Sequence, residues 1–220
     1  MSEQAPNVCF LIETQLDKEG FDRLNGKLPY SNRIIIKKPD LGGGMALIWK
    51  NEVIIDLINF TANHILVKVK EEDGFEWWLT CFYRWPEVNQ RHKSWELLEH
   101  LKYFVEGPCM CIGDFNAMIQ STEKLSKRPP QMSQIDSFWA ALKACQLEDL
   151  GFKGYPYTWN NNRPGDANTK LRLDKAVATK EWRDKFQLSS VTHLSPHASD
   201  HLLLFFKELE AKEITGLERI

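Results

Sequence analysis

No apolar run in the 220 residues approaches the roughly 18 that a membrane-crossing helix needs, so no membrane span is expected. Residues Met1 to Asn7 are polar, with no basic segment leading into an apolar stretch, and no secretory signal is read there. Neither sign of charge is in excess: 28 Lys and Arg stand against 30 Asp and Glu, a net charge of −2. Binding nucleic acid by bulk charge is thereby excluded, and only a local basic patch could serve that purpose. Cysteine is sparse and odd in number, with Cys9, Cys81, Cys109, Cys111 and Cys145 all on apolar segments. Such thiols are expected to stay reduced in the core of an intracellular protein, nuclear or cytoplasmic. Cys109 and Cys111 form a C-x-C with no second pair, which argues against a zinc site. Repeats, low-complexity stretches and long linkers are missing too. Gly42-Gly43-Gly44 is followed by neither Lys-Ser/Thr nor a helix, so it is not a phosphate-binding P-loop.

What is present, above all, is strand-forming sequence. Val8 to Ile12, Ile34 to Ile36, Met45 to Trp49, Val53 to Ile58, Ile65 to Val69, Trp77 to Tyr83 and Cys109 to Ile112 are short, apolar and β-branched. Glu71-Glu72-Asp73-Gly74 supplies turn residues between two of these runs. Trp95, Leu98 and Leu101 predict a helix between Asn89 and Phe104. Ile135, Phe138, Trp139, Leu142 and Cys145 predict a second, buried along that face. Thr179 is placed to cap a short helix through Phe186, and the last strand is expected over Leu202 to Phe206. Trp77, Trp95, Trp139 and Trp182 are expected in the core or at the helix–sheet interface. These elements make one mixed α/β domain with two sheets and helices outside them.

Four polar clusters sit at strand ends: Glu13-Thr14, Gly113-Asp114-Phe115-Asn116, Arg172-Leu173-Asp174 and Ser199-Asp200-His201. Each alone reads as a turn or cap. Gathered at one sheet edge, they would supply oxygen ligands for a hard cation, an amide for phosphate, and an Asp–His pair for proton chemistry.

In their order and wording these clusters, with Tyr83 and Pro86, resemble the endonuclease/exonuclease/phosphatase superfamily of deoxyribonuclease I-like fold. Gly42 to Trp49, Ser121 to Leu125, Tyr157-Thr158-Trp159 and Glu181-Trp182 are similar to endonuclease domains of plant LINE-type retrotransposons. The resemblance runs from about Asn7 to Phe206 and implies an α/β (α+β) sandwich of two packed β-sheets with flanking helices, over residues 1–207. Residues 208–220 read as a charged tail. Family members begin with a further strand that carries an Asn, and this sequence starts at about the second strand. The open sheet edge so implied is expected to favour self-association.

The resemblance also implies roles. Glu13 and Asp200 would be metal ligands, for Mg²⁺ or Mn²⁺. Asp114 would orient or deprotonate the attacking water, and Asn116 would hold the scissile phosphate. Asp174 would hydrogen-bond His201, whose protonated ring would neutralise charge on the phosphate oxygens. Tyr83 would contact the phosphate or its leaving oxygen. Trp159, Arg172, Lys127 and Arg128 are the candidate substrate-binding residues, the first by stacking on a base. The expected activity is Mg²⁺-dependent phosphodiester hydrolysis, as a DNA endonuclease of retrotransposon ancestry. Two alternatives use the same residues: an enzyme that has turned the pocket to a small phosphate or other ligand, and an inactive binding module.

Overall fold

A computed structural model describes residues 6–14, 19–20, 29–37, 44–85, 90–194 and 201–207. The chain forms two compact units, Met1–Tyr83 and Arg84–Ile220. No helix among the described residues is long and apolar enough to cross a membrane.

The first unit is built from the apolar runs. Strands β1 (Val8–Thr14), β2 (Asn32–Ile36) and β3 (Gly44–Trp49) form an antiparallel sheet with β3 in the middle. Both faces of β3 are buried along its whole length. On one of them Ala46 and Ile48 pack with Tyr30, and Cys9, Leu11 and Ile35 close around them. Gly44 lies so close to β2 that a Cβ there would sit 2.4 Å from the Ile36 carbonyl oxygen. Strands β4 (Ile54–Thr61), β5 (His64–Lys70) and β6 (Glu76–Tyr83) make an antiparallel meander. The β5–β6 turn forms where the acidic tetrapeptide predicts it. Gly74 takes φ +84 and its N–H donates to the Glu71 carbonyl, while the Asp73 carboxylate accepts from Phe75 N–H.

The second unit begins with helix α1 (Arg91–Lys102) and strand β7 (Cys109–Asp114). It continues through β8 (Lys124–Leu125), helix α2 (Met132–Ala144), β9 (Glu148–Asp149), β10 (Lys153–Gly154), β11 (Trp159–Asn160) and β12 (Lys170–Leu171). Strand β13 (Asp174–Ala178), helix α3 (Lys180–Lys185), β14 (Ser190–Leu194) and β15 (Leu203–Lys207) complete it. Strand β13 lies between β7 and β9, β12 between β11 and β8, and β14 between β10 and β15. Trp182 of α3 is fully buried, its ring 4.6 Å from Phe186 and 5.5 Å from Phe206 of β15. Trp95 of α1 stacks on Phe138 of α2 at 4.6 Å.

Two local expectations change. Trp139 is 53% exposed, because the buried stripe of α2 runs through Ile135, Phe138, Ala141 and Leu142, and Trp139 falls just beyond its border. Thr179 does precede α3, but its hydroxyl makes no cap; it accepts the Cys109 N–H and so ties the helix start to β7.

A larger correction concerns Arg172. It is 2% exposed and forms a two-bond pair with Asp149 at 2.6 and 2.8 Å, plus a bond to Glu123 at 2.8 Å. Its guanidinium also covers the Phe152 ring at 4.7 Å. A cation so enclosed neutralises the buried Glu123 and the half-buried Asp149 carboxylates and is not presented to a substrate. Lys175 lies in the same cluster, fully buried, with its ammonium donating to the Ala117 and Arg172 carbonyls and 3.3 Å from Glu123.

Burial pushes the Lys175 ammonium down from 10.5 to about 8, against the pull of Glu123. Between those two pH values the unfolded chain keeps a proton that the folded chain has released, so this residue adds stability as pH rises through the window. Denaturant unfolding at pH 8 and pH 10 should show the wild type gaining on the order of 2 kcal/mol over Lys175→Met. Equal shifts in both proteins would mean that the buried ammonium titrates normally. At Gly44, an alanine should cost about 1–3 kcal/mol through collision with the Ile36 carbonyl, read from the same unfolding curves. An unchanged midpoint would show that β2 and β3 can separate without penalty.

Candidate active site

Strands β7 and β13 end on opposed residues: Asp114 faces Asp174 across the antiparallel pair. Both are buried, at 4% and 5% exposure. Like charges in that register repel, and the neighbouring donors offset the repulsion. His201 Nδ1 lies 2.9 Å from Asp174 Oδ2, and Asn116 N–H donates to Asp114 Oδ1 at 2.6 Å. With Nδ1–H given to Asp174, Nε2 is the acceptor nitrogen of the neutral ring. One potential ligand atom from each of Asp114, Asp174 and His201 lies within 4.8 Å of the others. His201 reaches this position through an isolated bridge to Trp159, just before β15.

The loop after β7 is held from below. Phe115 is fully buried, 5.2 Å from the Phe138 ring. Arg84, also buried, donates its N–H to the Asp114 carbonyl and its guanidinium to the carbonyls of Phe115 and Asn116. That guanidinium lies 4.7 Å over the Trp95 ring. Asn116 takes φ +45, a left-handed conformation that Asn tolerates better than most residues. Phe115 points into the core, and Asp114 and Asn116 stand on either side of it.

In the first unit, Glu13 sits in an irregularity of the β1–β3 pairing between Ile12 and Thr14, at φ +56. Glu has no local hydrogen bond that favours this conformation, so the strain, roughly 1–2 kcal/mol, marks a side chain aimed by its backbone. Its exposed carboxylate accepts the Tyr83 hydroxyl at 3.0 Å. The end of β6 is fixed in turn by Asn63, whose amide donates to the Tyr83 carbonyl at 2.8 Å.

The remaining candidates are placed as follows. Trp159 is half-buried in β11, paired with Leu171. Lys127 and Arg128 are exposed, and Lys127 pairs with exposed Asp166. The loop beyond Trp159 is braced by its own amides: Asn168 donates to Asn160 and to the Arg163 carbonyl, and Asn161 to the Ala167 carbonyl. Asp200 and Pro86 lie outside the described residues. Sequence reasoning gave no role to Arg84, Glu123 or Thr158. The last two stood in segments that carried the resemblance, but nothing in their residue type announces a buried polar role.

A profile of the Endonuclease/Exonuclease/phosphatase family matches residues 1–201. Among solved structures, the chain is similar to the endonuclease domain of TRAS1, a telomere-specific non-LTR retrotransposon. The TM-score is 0.63 at 18% identity, over 82% of this chain and 80% of that one. It is also similar to the 3'-5' exonuclease NExo from Neisseria meningitidis, with TM-score 0.66 and 14% identity over 94% and 91% of the two chains. A third is an AP endonuclease from Archaeoglobus fulgidus, with TM-score 0.61 and 16% identity over 92% and 89%. No curated protein gives a significant match. At these identities the neighbours establish a deoxyribonuclease I-like fold, and the profile adds membership. The chain belongs to the Endonuclease/Exonuclease/phosphatase family.

Proposed function

We propose that this chain is a Mg²⁺-dependent DNA endonuclease of retrotransposon ancestry, able to use Mn²⁺ in its place. The observation that carries the reading is the Asp174–His201 hydrogen bond set directly beside Asp114 on the paired strand. Hydrolysis of a phosphodiester needs a water positioned for attack, a hold on the phosphate, and positive charge near its oxygens. Asp114, buried and oriented by Asn116 N–H, is suited to take the proton of that water. The Asn116 side-chain amide would donate to a non-bridging oxygen. His201, kept in register by Asp174, would carry a proton toward the phosphate oxygens, with Asp174 balancing the imidazolium.

The donor chemistry suits a hard cation. Asp114 and Asp174 offer oxygens, whereas the imidazole is a poor partner for Mg²⁺ and is already engaged with Asp174. The carboxylates of Glu13 and Asp200 are the donors we assign to the ion. Once bound, a divalent cation supplies charge stabilisation at the phosphate oxygens. Tyr83 keeps its proposed contact with the phosphate. The similarity to a retrotransposon endonuclease domain supports DNA as the substrate, with Lys127 and Arg128 on the backbone and Trp159 against a base.

Supercoiled plasmid incubated with the protein should be nicked with Mg²⁺ and left intact with EDTA. His201→Ala and Asp114→Asn should each lower the rate by about 10²–10⁴-fold while circular dichroism stays unchanged. Wild-type rates in both folded variants would end the proposed mechanism. Inert wild-type protein with Mg²⁺ and Mn²⁺ would turn attention to a repurposed pocket or a binding module. Replacing Lys127 and Arg128 together by Ala should raise KM and flatten its salt dependence, with kcat nearly constant. An unaltered salt dependence would remove them from the DNA contact.

A further inference from the structure

We infer that Thr158 is the positioning residue of the Asp174–His201 pair: its side chain fixes one partner and its backbone fixes the other. The inference rests on the reading of that pair as a proton-handling unit. Thr158 is fully buried, immediately before β11. Its Oγ1 accepts two backbone N–H groups, from Leu173 at 2.9 Å and from Asp174 at 3.0 Å. Its own N–H donates to the Leu171 carbonyl at 2.8 Å, and its carbonyl accepts Leu202 N–H at 2.7 Å. Three bonds thus hold the segment that ends in Asp174, and the fourth holds the residue after His201.

The need for a hydroxyl follows from the route of the chain. Between Leu171 of β12 and Asp174 of β13 the backbone leaves one sheet and enters another. The N–H groups of Leu173 and Asp174 are buried at that crossing and require an acceptor. One hydroxyl oxygen has two lone pairs and can serve both. The segment of His201 and Leu202 lies against Thr158 and Trp159 through the Leu202 bond and the Trp159–His201 bridge. A carboxylate–imidazole bond of 2.9 Å survives only if its two backbones keep their spacing, and Thr158 is bonded to Asp174 itself and to Leu202, the residue after His201.

The test compares Thr158→Val, of nearly equal shape without the hydroxyl, with Thr158→Ser, which restores it. Two readouts are used: the hydrogen-bonded His201 Nδ1–H proton resonance at one fixed pH, and plasmid-nicking kinetics with Mg²⁺. In Thr158→Val that resonance should shift upfield or broaden away as the Asp174 carboxylate drifts from the ring, and kcat should fall between about tenfold and a hundredfold with KM nearly constant. Thr158→Ser should restore both. A residue that only adds stability would lower the melting temperature of Thr158→Val and leave the Nδ1–H resonance and kcat where they were; that result overturns the inference. If the valine variant does not fold, Thr158→Cys, with its weaker acceptor, is read in the same way. Should the wild type prove unable to nick DNA, the nuclease reading fails, and the His201 Nδ1–H resonance still decides the role of Thr158.

Discussion

Two carboxylates facing each other across one pair of strands, almost out of contact with water, pose the problem that the second unit is built to solve. Asp114 and Asp174 occupy opposed positions and are nearly fully buried. Left alone, the two carboxylates would repel each other strongly, because like charges in a poorly solvated site are weakly screened. The surrounding donors are spent on this pair: Asn116 N–H on one carboxylate and the His201 ring on the other. Each of these bonds has a defined length and partner, so the pair depends on the position of the groups around it. That dependence makes geometry the quantity that must be defended.

The defence is polar as well as apolar. Phe115, Phe138 and Trp95 form an aromatic floor under the β7 loop, and Arg84 bonds the loop carbonyls from beneath. On the β13 side, Glu123, Asp149, Arg172 and Lys175 form a buried ionic cluster. Replacing such clusters by apolar residues often costs little, so net stability is a weak reason for having one. What the cluster does provide is direction. Arg172 and Lys175 flank Asp174 in the chain, one joined to Glu123 and Asp149, the other to Glu123 and the Ala117 carbonyl. With both side chains tied to Glu123 and each to a further partner, the backbone at Asp174 has little freedom to turn.

The parts of this fold that sequence reasoning reached are those where apolar period and length coincide. Strands β1 to β7 and β15 fall on the runs that define them, and α1 and α2 on their three- and four-residue spacings. The two-residue strands β8 to β12 were missed because two residues hold no period; these are loops that pair where the surrounding core presses them together. Asp174 and His201 were legible as types at strand ends, and their likeness to a family gave them roles. Arg172 misled for a physical reason. An arginine in a cluster that resembles a nuclease motif reads as a substrate contact, and its actual partners lie 49 and 23 residues away in the chain. Buried charge is a long-range property, and single-sequence reasoning reads only short range.

Strain tells a similar story. Asn116 and Glu13 both take left-handed backbone conformations, yet only the asparagine is of a type that adopts them readily. At Asn116 the cost is small, and the Arg84 bonds to the adjacent carbonyls hold the turn closed. At Glu13 nothing in the residue favours the conformation; the β1–β3 irregularity imposes it, and the carboxylate emerges exposed with the Tyr83 hydroxyl as its partner. A free carboxylate at the surface needs no such device, since an ordinary strand would leave it equally well solvated. The strained backbone therefore serves aim, not solvation. Each unit holds at least one acidic side chain in a position that its own residue type would not choose, and the surrounding hydrogen bonds keep it there.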